Sequence, residues 1–180
     1  MNHPKKRHFL RNANSAFTLL EVLIVLVIIS ILALLALPSY QIYIKKAQQA
    51  TCMGNMKSLH ASFASYLSDN NHWPPIPNVD DALDAKSESY WLSIMEPYGG
   101  TPKVWLCPTL VAARLKGSNG EHLKTHYIPS QFDAKPDAPR RWPNQPWLIE
   151  MANAHGDGAL ISFPDGSIKS MNQVLRENNK

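Results

Sequence analysis

The chain has 180 residues, enough for one modest domain with an additional segment. Its formal net charge of +4 is of the sign that favours nucleic acids or anionic membranes. The excess comes from the first sixteen residues, which contain no Asp or Glu but include Lys5, Lys6, Arg7 and Arg11. The remaining sequence has 14 basic and 14 acidic residues, so the charge does not support direct nucleic-acid binding.

A long apolar run follows this basic leader. Residues 17–37 are interrupted only by Thr18, Glu21 and Ser30. As a helix, the run would be about 30 Å long, the thickness of a bilayer's hydrocarbon core. Because the positive charges precede it, we expect a transmembrane segment with a cytoplasmic amino end.

The apolar pattern then takes the period of an amphipathic helix. Its members are Tyr40, Tyr43, Ala47, Ala50, Met53, Met56, Leu59, Phe63 and Leu67. We expect the helix to end within residues 68–71, ahead of Pro74 and Pro75. The two segments together predict one helix of about 50 residues, kinked or loosened at Pro38.

The rest of the chain reads as a small body of mixed structure. Short helices are predicted at residues 87–95 and 171–176, and an irregular, proline-rich loop at 132–146. Strands are predicted at residues 103–107, 126–128 and 147–151, and a hairpin at 159–163 and 167–169. Asp165 and Gly166 suit the hairpin turn because both tolerate positive φ. The fold class is α+β, with an antiparallel sheet.

The start of the apolar run carries the strongest motif. Ala16, then Phe17-Thr18-Leu19-Leu20-Glu21, follows a short basic leader. This arrangement closely resembles the type IV pilins and the pseudopilins of type II secretion. The resemblance implies cleavage between Ala16 and Phe17 by a membrane prepilin peptidase, which also methylates the new amino terminus of Phe17. Gly is usual before the cut, and Ala16 departs from that pattern.

The resemblance also implies an architecture and a set of partners. We expect a removed leader (1–16), a membrane and filament-core helix (17–37), an amphipathic extension (38–71) and a periplasmic globular domain (72–180), shaped like a lollipop. Pro38 falls where the family has its helix-breaking proline. The implied partners are prepilin peptidase, other pilin or pseudopilin subunits in a helical filament, the inner-membrane assembly platform and membrane lipid.

Glu21 has a physical reason to lie in this run. A carboxylate within a membrane helix costs about 2.5–3.5 kcal/mol, so such groups are usually paired. Cleavage would create an amine on Phe17 with a pKa of about 7.7–8.0, largely cationic at neutral pH. Glu21 of one subunit would then neutralise the Phe17 amine of its neighbour and set the axial register. The alternative is an ordinary signal anchor in which Glu21 reaches the cytoplasmic interface.

A second motif lies near the carboxyl end, where nine residues separate His155 from Asp165-Gly166. This spacing resembles a tail signature of pseudopilin-G-like proteins. His155, Asp157 and Asp165 would gather carboxylate oxygens and an imidazole around a cation; calcium sites use oxygen ligands, and some pseudopilins bind calcium in a carboxyl-terminal loop. The simpler alternative is a hairpin turn preceded by a capped loop, and we predict no cofactor beyond a possible calcium ion.

The two cysteines, Cys52 and Cys107, leave two alternatives open. An oxidising compartment would allow one disulfide between them. Otherwise they are separate small apolar residues.

No motif of an enzyme is present: the sequence has no GxSxG, P-loop, HExxH or GxGxxG. We therefore predict a structural subunit, a pseudopilin of a type II secretion filament. The alternatives are a minor pilin of a type IV pilus and a membrane-anchored periplasmic binding module with a calcium or ligand loop. The predicted location is the inner membrane, single-pass, with the carboxyl-terminal domain in the periplasm.

Overall fold

The computed structural model describes residues 17–75, 85–117 and 120–179, without the side chains of 36–39, 41 and 85. The predicted leader, including Ala16, lies outside the described residues. The chain divides into two compact units, residues 1–41 and residues 42–180. Each unit is described by itself below.

Helix α1 (Leu19–Asn70) contains residues of both units and ends where the sequence predicts. In the first unit its described apolar side chains are exposed; Phe17, just ahead of the helix, is 80% exposed and Leu19 is 85% exposed. The side chain of Pro38 is not described, so a kink there stays a prediction. Within the described part of the chain, none of the helices combines the length and the apolar character that a membrane span needs.

The second unit builds its core on one face of α1. Cys52, Met56, Leu59 and Phe63 recur at steps of three or four, and all four are fully buried. The predicted amphipathic face, which did not include Cys52, is confirmed from Met56 onward, whereas its earlier members Ala47 and Ala50 are exposed. Tyr40 and Tyr43, assigned to the same face from the sequence, are exposed.

Four short strands form an antiparallel sheet in chain order. They are β1 (Tyr127–Pro129), β2 (Leu148–Glu150), β3 (Leu160–Ser162) and β4 (Ile168–Ser170). The register pairs Ile128 with Ile149, Ile149 with Ile161, and Ile161 with Lys169. The predicted strands near 126–128 and 147–151 and the predicted hairpin are confirmed, as is the α+β class.

The strand predicted at residues 103–107 is wrong. Pro102–Trp105 forms a 3-10 turn, because proline fixes the first φ and removes a backbone donor. The Trp105 indole N–H donates to the carbonyl of Gly100, which precedes the turn, and the buried ring lies against Phe63 of α1. Valine and tryptophan favoured a strand in the sequence, but burial of Trp105 selects a tight turn.

The remaining helices are short. They are α2 (Ala85–Met95), α3 (Pro108–Ala112), α4 (Ala138–Arg141) and α5 (Met171–Asn178). Helix α4 interrupts the loop predicted to be irregular. Ser170 caps α5, since its hydroxyl accepts a hydrogen bond from the Gln173 N–H.

Two glycines in the loop before β3 provide a test of this packing. Gly156 and Gly158 both have positive φ, and both donate an N–H to Asn153 Oδ1. A Cβ on Gly158 would lie 2.7 Å from the Cβ of Met171, whereas a Cβ on Gly156 would meet nothing within 4 Å.

We therefore expect Gly156→Ala to lower the free energy of unfolding by about 1–2 kcal/mol, the cost of left-handed backbone. Gly158→Ala should lower the free energy of unfolding by about 1–3 kcal/mol more, because its Cβ would be overpacked against α5. Chemical denaturation of the full-length protein in detergent measures both values. Equal losses would contradict the close approach of this loop to α5.

Candidate functional site

The first site is the start of α1, where Thr18 and Glu21 cap the helix reciprocally. The Glu21 N–H donates to Thr18 Oγ1 over 3.2 Å, and the Thr18 N–H donates to Glu21 Oε2 over 3.4 Å. This is the capping box of a Ser/Thr-x-x-Glu sequence, which satisfies two backbone donors that the helix itself leaves unpaired. The carboxylate of Glu21 therefore has a partner within its own chain.

Sequence reasoning missed this role, although the signal was present. It treated Glu21 only as a charge in an apolar run, while the Thr18-x-x-Glu21 spacing predicts a cap. The cap holds the carboxylate beside the peptide that follows Phe17. Glu21 therefore lies close to where cleavage would create the new amino terminus.

The second site is a cluster of four side chains in the second unit, which we call the buried cluster: Cys52, Cys107, Glu150 and His155. Cys52 lies on α1, Cys107 lies immediately before α3, Glu150 ends β2, and His155 lies in the loop that follows. Cys52 and Cys107 form a disulfide, one of the two alternatives that the sequence left open. Both cysteines are fully buried.

Glu150 and His155 form a buried pair beside this disulfide. His155 Nε2 lies 3.3 Å from Glu150 Oε1 and 3.6 Å from Cys107 Sγ. The side chains of His155 and Glu150 are 2% and 0% exposed. The other carboxylate oxygen of Glu150 accepts the Leu160 N–H over 3.1 Å, which connects the pair to β3.

The electrostatics of the cluster follow from its burial. Burial raises the pKa of Glu150, while the Leu160 N–H and the neighbouring His155 act in the opposite direction. Burial also raises the pKa of Tyr127, and the charge of Glu150 adds to that effect. The Tyr127 hydroxyl therefore stays protonated, and it donates to the carbonyl of Cys52.

His126 supports the other side of the cluster. Its Nδ1 accepts the Cys107 N–H over 3.0 Å, which requires that nitrogen to be unprotonated. Burial lowers the pKa of His126 and so favours this neutral form. The sequence showed His126 only as one histidine among seven.

The two ends of the carboxyl-terminal motif lie in different surroundings. Asp165 and Gly166 form the predicted turn between β3 and β4, in which Asp165 Oδ1 accepts the Ser167 N–H. Gly166 lies against His60 of α1, since a Cβ there would be 3.5 Å from its Cε1. His60 in turn stacks on Trp147, with ring centroids 4.5 Å apart. The motif thus contacts α1 through the turn and meets the disulfide through His155.

The residues proposed for calcium are engaged elsewhere. The Ser170 hydroxyl and the Arg176 guanidinium both donate to Asp157 Oδ2. Within the described parts of the chain, the buried cluster is the only group of three or more His, Cys, Asp or Glu side chains close enough to share an ion. Asp157 and Asp165 are not members of it, and calcium binding itself stays an untested prediction.

Comparison with known proteins bears on the first site. The family model described as the prokaryotic N-terminal methylation motif matches residues 11–37. The chain carries this methylation motif. The match confirms the resemblance to type IV pilin-like proteins in that segment, without distinguishing pseudopilin from pilin. No curated protein and no solved structure gives a significant match.

One partly buried histidine, His60, and one buried histidine, His126, should make this protein sensitive to acid. Burial lowers the pKa of His60 and of His126 below their ordinary value of 6.5. As pH falls through 6.5 the unfolded chain takes up protons that the folded chain does not, so the free energy of unfolding falls. The slope reaches about 1.4 kcal/mol per pH unit for each group.

We expect His126→Gln to make this fall shallower between about pH 7 and pH 5, because one titrating group is removed. The glutamine amide oxygen can still accept the Cys107 N–H. Glu150 acts in the opposite direction above pH 4.5, but it is common to both proteins and cancels in the comparison. Denaturation across this range measures the slopes, with the exposed His122→Gln as control. An unchanged slope in His126→Gln would contradict the assignment.

Proposed function

We propose that the chain is a structural subunit, not an enzyme: a pseudopilin that is cleaved before Phe17, methylated there, and assembled into a secretion-type filament. The observation that carries the proposal is the methylation motif over residues 11–37, which coincides with the start of a helix whose described apolar side chains are exposed from Leu19 to Leu35. Prepilin peptidase and other pilin-like subunits are the partners that such a motif requires.

The exposed apolar surface supports assembly. Leu20, Ile29, Leu32 and Leu35 are all more than half exposed, as are most apolar side chains of residues 17–35. A continuous apolar surface of this extent is unusual on a protein that stays monomeric in water. Lipid would cover it in the precursor, and the corresponding helices of neighbouring subunits would cover it in a filament.

Glu21 would serve this assembly in a second way besides capping. In the filament core its carboxylate would meet the cationic amine of Phe17 from a neighbouring subunit. Attraction between opposite charges is stronger in such surroundings than in water. The reciprocal cap supports this role because it fixes the carboxylate at the helix start before any neighbour arrives.

The disulfide supports a location outside the cytoplasm. Disulfides persist in oxidising compartments such as the bacterial periplasm and are rare in the cytosol. The precursor would therefore be held at the inner membrane by its apolar amino-terminal segment, with residues 42–180 in the periplasm and the assembly platform nearby. The preference for a secretion filament over a pilus rests on the spacing of His155 and Asp165-Gly166.

Processing is the first test. The protein extracted from its native membrane should have an intact mass that begins at Phe17 and includes one methyl group. The same chain expressed in a host without prepilin peptidase should retain residues 1–16. Native protein that keeps its leader would rule out cleavage and, with it, assembly through a Phe17 amine.

Two substitutions separate the charge of Glu21 from its cap. Glu21→Gln keeps a capping residue but removes the charge, so we expect it to remain in the membrane and to be lost from filaments. Thr18→Ala keeps the charge but removes the cap acceptor, at a cost of about 1 kcal/mol, and should still be incorporated. Recovery of each variant in sheared filaments, beside wild-type subunits, measures the effect. The reverse result would assign assembly to the cap.

A further inference from the structure

The buried cluster combines the ligand types of a structural zinc site. Two cysteine sulfurs, one imidazole nitrogen and one carboxylate oxygen all lie within 4.8 Å of one another. Zinc is bound by these same atoms, usually four at a time, and thiolates select it over magnesium or calcium. In the disulfide form the sulfurs are bonded to each other, so only the dithiol form offers all four ligands.

We propose that, in its dithiol form, the chain binds one zinc ion through Cys52, Cys107, Glu150 and His155, and that formation of the Cys52–Cys107 disulfide expels the ion. The proposal does not depend on filament assembly, and it assigns this metal site to residues outside the methylation motif.

The spacing of the ligand atoms suits a tetrahedral ion. Zinc–ligand distances of about 2.0–2.3 Å place neighbouring ligand atoms roughly 3.3–3.8 Å apart. His155 Nε2 is already 3.3 Å from Glu150 Oε1 and 3.6 Å from Cys107 Sγ. The two sulfurs must separate, which rotation of the cysteine side chains provides once their bond is broken, and the remaining pairs already lie within 4.8 Å.

Contacts other than the disulfide hold the two cysteine backbones. The carbonyl of Cys52 accepts the Tyr127 hydroxyl, and Cys52 lies within the long helix α1. The Cys107 N–H donates to His126, and its carbonyl accepts the Val111 N–H of α3. Reduction should therefore leave both thiols beside His155 and Glu150, already arranged for a metal.

The charges and the surrounding hydrogen bonds also fit. Two thiolates neutralise a divalent cation and a neutral imidazole adds no charge, so the Glu150 carboxylate leaves the occupied site with a net charge of about −1. Glu150 would bind through Oε1, while its Oε2 keeps the Leu160 N–H. A ligand carboxylate that is itself hydrogen-bonded is typical of the shell around protein metal sites.

Reduction of the disulfide with zinc binding, and its re-formation with zinc release, both conserve atoms and electrons. A water-soluble phosphine reduces the disulfide: the phosphine becomes its oxide with the oxygen of one water molecule, and each sulfur gains a proton. Zinc then replaces the two thiol protons. In the reverse direction a disulfide oxidant accepts two electrons from the zinc-bound thiolates and leaves as a dithiol with two protons from solvent. The new Cys52–Cys107 bond forms and aqueous zinc is released.

The test uses cobalt(II) as a spectroscopic substitute for zinc, with the full-length chain in detergent. The phosphine-reduced protein should bind one equivalent, with thiolate-to-cobalt charge-transfer absorption and the d–d bands of a tetrahedral ion. One equivalent of zinc should remove both. The oxidised protein, identical in sequence, is the control and should show neither absorption.

Substitutions identify the non-sulfur ligands. Glu150→Gln keeps an acceptor for the Leu160 N–H but loses the carboxylate, and His155→Gln loses the imidazole. Each substitution should lower the zinc affinity of the reduced protein roughly tenfold or more. Loss of a hydrogen bond to a metal ligand already has an effect of this size, and loss of the ligand itself should have at least the same effect. His122→Gln, an exposed histidine outside the cluster, should bind as the unaltered chain does. If both variants bound zinc as tightly as the wild-type protein does, the two thiols alone would hold the ion, and the proposal would be overturned.

Circular dichroism covers the case in which reduction unfolds the chain. If the reduced, metal-free protein loses its near-ultraviolet signal, zinc should restore it, because metal binding then drives folding. A reduced protein that stays folded and binds no cobalt overturns the proposal. So does a reduced protein that zinc cannot refold, or an oxidised protein that binds cobalt equally well.

Discussion

The four strands of this protein are only three residues long, and the second unit therefore depends on one buried face of α1. Strands this short have few cross-strand contacts and are not stable alone. Met56, Leu59 and Phe63 of α1 supply the apolar surface that covers these strands. Covalent and polar contacts then tie the remaining chain to α1: the Cys52–Cys107 disulfide, and the Tyr127 hydroxyl on the Cys52 carbonyl.

The buried cluster contains an ionisable pair, Glu150 and His155, beside the disulfide that attaches the rest of the chain to α1. Removing a carboxylate and an imidazole from water is costly, and their mutual attraction does not by itself make such a pair stabilising. Its contribution here is positional: Glu150 contacts Leu160 of β3, and His155 contacts the disulfide, so the loop between β2 and β3 is fixed relative to α1. An apolar pair of the same volume would not orient these groups.

The first unit presents the opposite problem, since its described apolar side chains are exposed. Such a surface requires other molecules, and the methylation motif over residues 11–37 indicates which kind. Glu21 caps its own helix, and the proposed function would give it a second role, as the counter-charge of an amine on the next subunit. The two roles are compatible because both need the carboxylate at the helix start.

Local patterns in the sequence were enough to predict the amphipathic period from Met56 to Leu67, the Asp165-Gly166 hairpin, the end of α1 and the methylation motif. Neighbouring residues are enough to specify these. Residues 103–107 turn instead of extending because Trp105 is buried against Phe63, a contact between residues far apart in the chain. The tertiary structure alone also decided that His155 meets Glu150 and Cys107 and not Asp165. Those contacts join residues far apart in the chain, and spacing in sequence carries no information about distances set by packing.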